Sequence, residues 1–531
     1  MTAKGSIEKP EVNKWIIVAT VVTAALLQLI DTSIVNVTLT QMMGNLGASL
    51  GDISWVVTGY AASNVVMITL SGWLSSKFGR RNYFTASIIL FTVASIFCGT
   101  STSVTELVIF RIIQGIGGGG LLSVGQAILI DTFPREELGK ANAIFGMGVI
   151  IGPSIGPTLG GYITDNFSWN WVFFINVPVG IVAAFLSVLY IKESKHKLTI
   201  GKIDWLAIIL LIITIGALQV VLEKGESEDW FESRYISILT FSTVVAGVIF
   251  IWRQLTVEHP ILNIRLLNNR QFAVGTFFSF VQGIGLYASV FVIPVFCQTL
   301  LGYTSQDTGN LLLPGSLAAG VMMPIVSTIM KKTKISPVLL AGIGFALFIV
   351  FVWYLSNMSL DTGAHNFFWP LILRGVGLGL LFIPLLTITI YPLHNKDVAQ
   401  GTALTNTIRQ LGGSFGIAAA TTFISTRNAF HYSRLSERIS IYNTTAADRL
   451  NAMTGFFMSK GNDPATAQMK ALASIKGMVV RQSMLLTYND VFLLVGIFFA
   501  ICIPLLFLFR TKKDKTKAEG EEEQHMEMVM E

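Results

Sequence analysis

The chain has 531 residues, of which 52% are apolar and only 13% carry a charge, and its mean hydropathy is +0.64. Because soluble domains contain about 25% charged residues, this composition excludes an ordinary soluble protein and predicts a polytopic membrane protein. The net charge of +6 does not indicate nucleic-acid binding, since the basic residues concentrate between apolar segments. Cys98, Cys297 and Cys502 lie in or next to apolar segments, which predicts packing roles and neither a disulfide nor a metal site.

Many apolar segments are long enough to cross a membrane, since about 20 residues span a ~30 Å hydrocarbon core. The first contains Asp31 and lacks a convincing cleavage site, which favours a retained helix over a signal peptide. We therefore predict an all-α membrane protein with fourteen transmembrane helices, at residues 15–38, 53–75, 83–101, 105–128, 140–163, 171–191, 204–222, 235–255, 271–299, 308–330, 337–357, 366–392, 398–425 and 488–510.

The distribution of lysine and arginine predicts the orientation of these segments. With the N-terminus in the cytoplasm, the cytoplasmic segments carry 24 basic residues, whereas the six short outer loops carry only Lys224 and Arg234. The positive-inside rule therefore places both termini in the cytoplasm. Loop 426–487 is basic and falls outside, but long loops translocate largely regardless of charge. Its charged, helix-compatible runs predict a small extracytoplasmic helical subdomain.

A short internal repeat indicates how the segments are grouped. Residues 114–119 (QGIGGG) in the fourth segment resemble residues 374–379 (RGVGLG) in the twelfth, which is the fourth of a second set of six. Two related halves around an inserted pair of helices is a transporter architecture. We expect the inserted pair, which has few polar residues at mid-span, to pack on the outside. The predicted organisation is a cytoplasmic tail (1–14), an N-terminal six-helix half (15–191), two inserted helices with linkers (192–260), a C-terminal six-helix half (261–510) and a disordered cytoplasmic tail (511–531).

Asp31 and Arg111 are charged residues inside predicted membrane segments, where a charge is costly. From the lengths of their segments, Asp31 lies about 24 Å and Arg111 about 21 Å from the cytoplasmic face, so the two side chains are expected to pair. One interpretation is a permanent ion pair that locks two helices. The other is a proton-coupling role, in which Asp31 binds and releases a proton as Arg111 or the substrate moves, because burial and a nearby cation act on a carboxyl group in opposite directions.

Further polar residues inside the segments form a candidate lining for a central substrate cavity. Asn and Gln also bridge membrane helices, so a structural role is about as good an interpretation for each of them. The candidates are Gln28, Asn36, Tyr60, Asn64, Gln114, Gln126, Gln282, Tyr287, Asn406 and Arg409.

Residues 115–120 also fit the GxGxxG dinucleotide pattern, but no predicted strand precedes them and they lie inside a membrane segment. The sequence contains no GxxxxGK[ST] phosphate loop, no metal-ligand cluster and no catalytic constellation. We therefore expect no cofactor, no nucleic-acid partner and no enzyme activity, with an ion gradient or a partner protein as the energy source. The glycines are instead expected to form the surface on which the two halves pack.

Several motifs resemble those of the major facilitator superfamily. Residues 111–119 resemble its helix-4 motif, residues 72–81 its loop between helices 2 and 3, and residues 148–161 the helix-5 motif typical of its antiporters. The fourteen segments narrow the resemblance to the fourteen-helix drug:proton antiporter branch, and residues 44–50 and 229–231 are similar to its EmrB type. The resemblance implies conformational roles for Gly72, Gly79, Arg80, Arg81, Gly115, Gly148, Gly152, Pro153, Gly156, Pro157, Gly160 and Gly161.

The resemblance implies a major facilitator fold, alternating access about a midplane site, and proton-coupled export of hydrophobic drugs or other toxic compounds. It also implies a Gram-negative inner membrane and a tripartite efflux system, with a periplasmic adaptor of the EmrA type (a membrane fusion protein) and an outer-membrane channel. Ser76 stands where the loop motif usually has an acidic residue. The latch that this acid forms in the family is therefore expected to be weaker or differently made.

The alternative function is a stand-alone exporter of one endogenous metabolite or lipid-like compound, and a neighbouring adaptor gene would favour the tripartite pump. Import is disfavoured by the helix-5 motif. A single acidic residue in the membrane argues against a dedicated exporter of polyvalent cations. Arg111, Arg374 and Arg409 instead suit weakly acidic or neutral apolar substrates.

Overall fold

Long helices form most of the computed structural model, which describes residues 13–193, 203–333, 335–390, 392–394, 397–440 and 442–509. A helix satisfies its backbone hydrogen bonds internally, as lipid requires. The predicted tails 1–14 and 511–531 fall almost wholly outside the described residues. Within those residues fourteen long helices follow one another: α1 (Lys14–Leu46), α2 (Trp55–Phe78), α3 (Arg80–Thr100), α4 (Val104–Thr132), α5 (Arg135–Asn166), α6 (Trp171–Tyr190), α7 (Trp205–Lys224), α8 (Arg234–Thr256), α9 (Arg270–Leu300), α10 (Ser305–Lys332), α11 (Pro337–Leu355), α12 (Ala364–Ile390), α13 (Val398–Glu437) and α14 (Pro464–Cys502).

Thirteen of the described helices are long and apolar enough to cross a membrane, and α13 is the exception. It is less apolar because its buried positions include Gln400, Thr402, Asn406 and Arg409, which face other helices. The predicted all-α, fourteen-helix fold is confirmed. We call the side on which α1 begins the inner side and the opposite side the outer side, following the predicted orientation.

The helices α13 and α14 are much longer than a bilayer requires. They contain 40 and 39 residues, which corresponds to about 60 Å each and exceeds a ~30 Å core. Their outer parts flank a short helix, Thr444–Ser459, that packs on α14. Loop 426–487 is therefore largely helical, as its charged runs predicted.

The first six helices and the last six repeat one packing pattern. In the first set α1 packs on α5, α2 on α4, and α3 on both α4 and α6. In the second set α9 packs on α13, α10 on α12, and α11 on both α12 and α14. The two sets are therefore structurally equivalent bundles, which we call the two halves.

The two halves meet along two seams. On one, α5 packs against α10, and the hydroxyls of Ser154 and Ser316 hydrogen bond across it. On the other, α2 and α4 pack against α13, and the hydroxyls of Thr69 and Thr407 are 3.0 Å apart. Gly72 lies on this second seam, where a Cβ atom would come within 2.9 Å of the α13 backbone. Glycine is needed here because the two backbones are nearly in contact.

The glycine run of α4 does not lie between the halves, so that expectation is wrong. Cβ atoms at Gly115 and Gly119 would collide with α2, and Cβ atoms at Gly117 and Gly120 would collide with α3. Glycines on two faces of one helix allow two neighbours to approach closely. The run therefore packs α4 within its own half.

The glycines of α5 bring it close to α1, the helix that carries Asp31. Pro153 and Pro157 lie within the continuous helix. On its other side, Gly161 approaches Gln306 of α10. The helix-5 motif thus lies between α1 and the second half. The glycines that face α1 are spaced four residues apart and are Gly148, Gly152, Gly156 and Gly160.

The inserted helices α7 and α8 pack against each other and expose apolar side chains such as Trp205, Ile238 and Trp252. The helix α7 contains a π-helical turn at Ile212–Gly216. The expected outside position holds for α8, but the outer half of α7 also packs on α2 and α13 and buries Gln219 completely.

We predict that Gly117→Ala lowers the melting temperature of the detergent-purified protein by several degrees. The added Cβ would lie 2.6 Å from the backbone nitrogen of Phe91, so α3 and α4 would have to separate. Gly342→Ala is the control, because its Cβ would meet only the Leu506 side chain at an ordinary 3.7 Å and alanine favours the helix by about 1 kcal/mol. Equal melting temperatures for the two variants would contradict this role of Gly117.

Candidate functional site

Asp31 lies near the middle of α1, has no solvent exposure and accepts hydrogen bonds at both carboxylate oxygens. Its Oδ2 accepts from Nη1 of Arg111 at 2.6 Å. Its Oδ1 accepts from Nε2 of Gln114 at 3.0 Å and from Nδ2 of Asn176 at 2.8 Å. Arg111 and Gln114 come from α4 and Asn176 from α6. The contact expected from the matching depths of Asp31 and Arg111 is therefore present.

Arg111 is fixed by more than its carboxylate partner. Its Nε donates to the carbonyl oxygen of Val56 at 3.2 Å, and its Nη1 also donates to Oε1 of Gln114 at 2.8 Å. The guanidinium carbon lies 4.0 Å from the ring centroid of Tyr60, a cation–π geometry. Ser95 of α3 accepts a hydrogen bond from Gln114 at 3.2 Å. Helices α1, α2, α3, α4 and α6 therefore all contribute to one polar network.

The hydrogen bonds of this network depend on the charge of Asp31. A buried ion pair is tolerated only when good geometry and further hydrogen bonds offset the loss of hydration. A proton on Asp31 would leave Arg111 as an uncompensated buried cation and would weaken the hydrogen bonds from Gln114 and Asn176. In this conformation the ion pair joins α1 to α4. Proton binding at Asp31 would remove the negative charge of the pair.

A second polar cluster joins α4 to α13 across the seam between the halves. Nδ2 of Asn406 donates to Oγ of Ser123 and to Oε1 of Gln126, both at 3.2 Å. Arg409 donates to Oδ1 of Asn406, and its guanidinium carbon lies 5.2 Å from the ring centroid of Phe382 on α12. These residues place a buried cation and several amides between the two halves.

The remaining cavity candidates are dispersed. Nε2 of Gln28 donates to Oδ1 of Asn64 at 3.1 Å, which links α1 to α2. Tyr287 donates to Oε1 of Gln410 at 2.9 Å, which links α9 to α13. Gln282 is buried on α9, whereas Asn36 is exposed and forms none of the contacts described above.

The loop motif between α2 and α3 depends on one glycine conformation. Gly79 has a φ of 91°, which glycine adopts without strain. The next residue is the buried Arg80. It donates to the carbonyl oxygen of Ala127 at 3.1 Å and forms an ion pair with Asp131. Both partners lie at the inner end of α4. Asp131 supplies the carboxylate of this ion pair, whereas residue 76 is a serine.

Two neighbouring residues complete this motif. Arg81 donates to the carbonyl oxygen of Val188 on α6 at 2.6 Å. The hydroxyl of Ser76, at the usual acidic position, donates to the carbonyl oxygen of Gly72 in its own helix. The expected change in the latch stays a prediction, because the Arg80–Asp131 pair joins α3 to α4 within one half.

A cavity of about 560 Å³ opens between the halves at the inner side. One wall belongs to α4 and α5, and the other belongs to α10, α12 and the start of α13. Its surface combines apolar side chains such as Phe133, Ile383 and Leu386 with three lysines, Lys140, Lys331 and Lys332.

Sequence reasoning did not single out Ser95, Ser123, Asp131 or Asn176 as site residues. Asn176 was visible as the one amide within the apolar run 171–183, and Asp131 as an acid at the end of a membrane segment. A lone serine in an apolar helix gives no comparable signal, because serine satisfies its hydroxyl locally in many helices.

The fold and the two polar clusters define a membrane transporter with two equivalent halves. Residues 21–417 match the Major Facilitator Superfamily, and the chain belongs to that family.

The chain is also similar to EmrB-type proteins. The chain is 32% identical to the multidrug export protein EmrB of Escherichia coli K12 over 490 residues, which is 91% of this chain and 93% of that protein. It is 30% identical to the fatty acid resistance protein FarB of Neisseria gonorrhoeae, covering 91% and 94%, and 29% identical to the colistin resistance protein EmrB of Acinetobacter baumannii, covering 95% and 98%. The resemblance to the EmrB type is therefore confirmed.

A solved structure shows the same fold at low sequence identity. The crystal structure of the human organic anion transporter MFSD10 superposes with a TM-score of 0.55 at 12% identity, covering 92% of this chain and all of that chain. This likeness concerns the fold alone.

We predict that Asp131→Asn lowers transport several-fold and destabilises the protein by about 2 kcal/mol, because it leaves the buried Arg80 without its carboxylate. Melting in detergent and transport in vesicles measure the two effects. Glu137→Gln is the control, since the Lys14–Glu137 pair at the same side is half exposed and such pairs contribute little. An Asp131→Asn protein as active and stable as the control would contradict the role of Asp131.

Proposed function

We propose that this protein is a proton-coupled antiporter that exports lipophilic compounds across the inner membrane by alternating access. The buried Asp31–Arg111 pair carries the proposal, because a carboxylate in the membrane is the group whose charge a proton can switch. Membership of the Major Facilitator Superfamily and the similarity to multidrug export proteins support the transport of small molecules and the direction of export.

The proposed cycle alternates proton binding and proton release at Asp31. When the outer side is open, a proton from extracytoplasmic water binds a carboxylate oxygen of Asp31 and Arg111 loses its counter-charge. The helices α1 and α4 then shift and the bundle opens inward. Release of the proton to the cytoplasm restores the ion pair, and cargo that enters from the inner side is carried outward on the return step. Cargo and proton therefore move in opposite directions.

The preferred cargo is a weakly acidic or neutral lipophilic compound. The inner cavity combines apolar walls with Lys140, Lys331 and Lys332 at the side from which cargo enters. Further along the seam, Arg409 offers a buried positive charge beside the ring of Phe382. This arrangement favours an organic anion and disfavours a dication, which would bring two positive charges close to these groups.

The protein works in the inner membrane with both termini in the cytoplasm, and it joins a periplasmic adaptor of the EmrA type and an outer-membrane channel. The similarity to EmrB supports this assembly. Export of a single metabolite without an adaptor remains the competing function, and an adaptor gene beside the gene for this chain would argue against it.

We predict that Asp31→Asn abolishes proton-driven transport and reduces resistance in a pump-deficient host to the level of the empty vector, while the protein stays folded in the membrane. Asparagine keeps the size and one acceptor oxygen of the side chain but has no charge that a proton can neutralise. Asp165→Asn, which changes an exposed acid at the outer end of α5, should retain full resistance. Full resistance in cells that produce Asp31→Asn would contradict proton coupling at Asp31.

We predict that the wild-type protein protects a pump-deficient host against decanoate, a lipophilic acid, more strongly than against the quaternary cation tetraphenylphosphonium or a bisquaternary dication. Growth inhibition by each compound is measured in cells that produce the wild-type protein or the Arg409→Gln variant, and this comparison tests the proposed substrate class. The Arg409→Gln protein should lose protection against the acid selectively. Resistance confined to dications would refute this substrate class.

A further inference from the structure

Glu223 is an acidic residue of the inserted helix α7. It lies just beyond the end of the membrane segment predicted from the sequence. The predicted segment ended at residue 222, but α7 continues to Lys224. Glu223 lies at the outer end of α7, partly buried where this helix packs on α2 and α13. It is therefore a second carboxyl group at the seam between the halves.

A fully buried glutamine connects Glu223 to the second half. Nε2 of Gln219, one helical turn inward on α7, donates to Oε1 of Glu223 at 3.0 Å and to Oγ of Ser414 on α13 at 2.8 Å. Ser414 in turn donates to the carbonyl oxygen of Gln410 at 3.3 Å, and the side chain of Gln410 accepts from Tyr287. A row of polar groups thus runs inward from Glu223 along α13.

The inner end of this row approaches the proton site. Tyr287 lies against α13, where a Cβ atom at Gly413 would come within 2.7 Å of its ring. Tyr287 lies on α9, which packs on α13, and α13 packs in turn on α2, the helix that carries Tyr60. Tyr60 is the residue that lies beneath Arg111. The row therefore points from the outer side towards the Asp31–Arg111 pair.

The cation next to Glu223 is directed elsewhere. The ammonium group of Lys224 donates to the hydroxyl of Ser54 and, at 3.2 Å, to the carbonyl oxygen of Gly51, and it lies 5.2 Å from the ring of Trp55. The hydrogen-bond partner of Glu223 is instead the neutral amide of Gln219. Further charged or titratable groups in this part of the structure include Asp52 before α2, Glu228 after α7, Tyr235 on α8, Tyr287 on α9 and Arg409 on α13.

We propose that Glu223 is a second proton-binding carboxylate, which takes up the coupling proton from extracytoplasmic water and loads Asp31. When the outer part of the α2–α13 seam opens, water reaches Glu223 first, and a proton binds its carboxylate oxygen. The proton then leaves Glu223 and passes along the opened seam, past the hydroxyls of Ser414 and Tyr287, to a carboxylate oxygen of Asp31. Glu223 is left as a carboxylate, ready for the next cycle.

This inference rests on the proposed proton-coupled function, and a glutamine variant separates the two. In proteoliposomes with an imposed proton gradient, Glu223→Gln should lower gradient-driven transport of radiolabelled decanoate, or of tetraphenylphosphonium if profiling favours it, about tenfold. Exchange without a gradient and equilibrium binding should not change. Glutamine keeps the acceptor oxygen that Gln219 uses, so a merely structural role would survive the substitution. Glu223→Asp should restore at least half of the rate.

The exposed Glu228 supplies the matched control, and Glu228→Gln should transport like the wild type. A Glu223→Gln protein with the wild-type rate and the same dependence on external pH would overturn the role of Glu223 and leave the proposed antiport intact. Loss of cargo binding together with transport would also overturn it, because that result shows a structural residue. If the wild type moves neither compound in response to the gradient, the proposed function itself fails.

Discussion

The structure depends on shielding the Asp31–Arg111 ion pair from water and lipid while protein groups satisfy its hydrogen bonds. A charge in lipid is tolerated only when protein groups replace its hydration shell. Here five helices supply those groups, through side chains of α1, α3, α4 and α6 and a backbone carbonyl of α2. Because five helices contribute, a change of charge at this one carboxylate would act on contacts of all five.

Glycine spacing makes this enclosure possible. The α4 glycines at 115, 117, 119 and 120 leave no room for a methyl group between α4 and its two neighbours. The same close approach on α5 brings α1 against a helix that also contacts the second half. The charged pair is therefore buried, and the helix that carries Asp31 packs on a helix of the seam between the halves.

The polar contacts across the seam are individually weak. Hydroxyl pairs such as Thr69–Thr407 and amide contacts such as Asn406–Gln126 join the halves. Each such bond contributes only about 1 kcal/mol net, and the buried apolar clusters around them also include side chains from both halves. The outer end of α7 spans this seam as well, since Lys224 bonds to the segment before α2 and Gln219 bonds to α13.

The sequence by itself determined the all-helical membrane fold, the two related halves, the family and the contact between Asp31 and Arg111, because hydropathy, repeat motifs and depth along a helix are local properties. It did not determine which neighbour each glycine face meets, and the α4 run was therefore assigned to the wrong surface. Nor did it identify Asn176 and Ser95 as partners of the site, or Gln219 as a link to Ser414. Those choices follow from the rotation of each helix about its axis, and only tertiary packing sets that rotation.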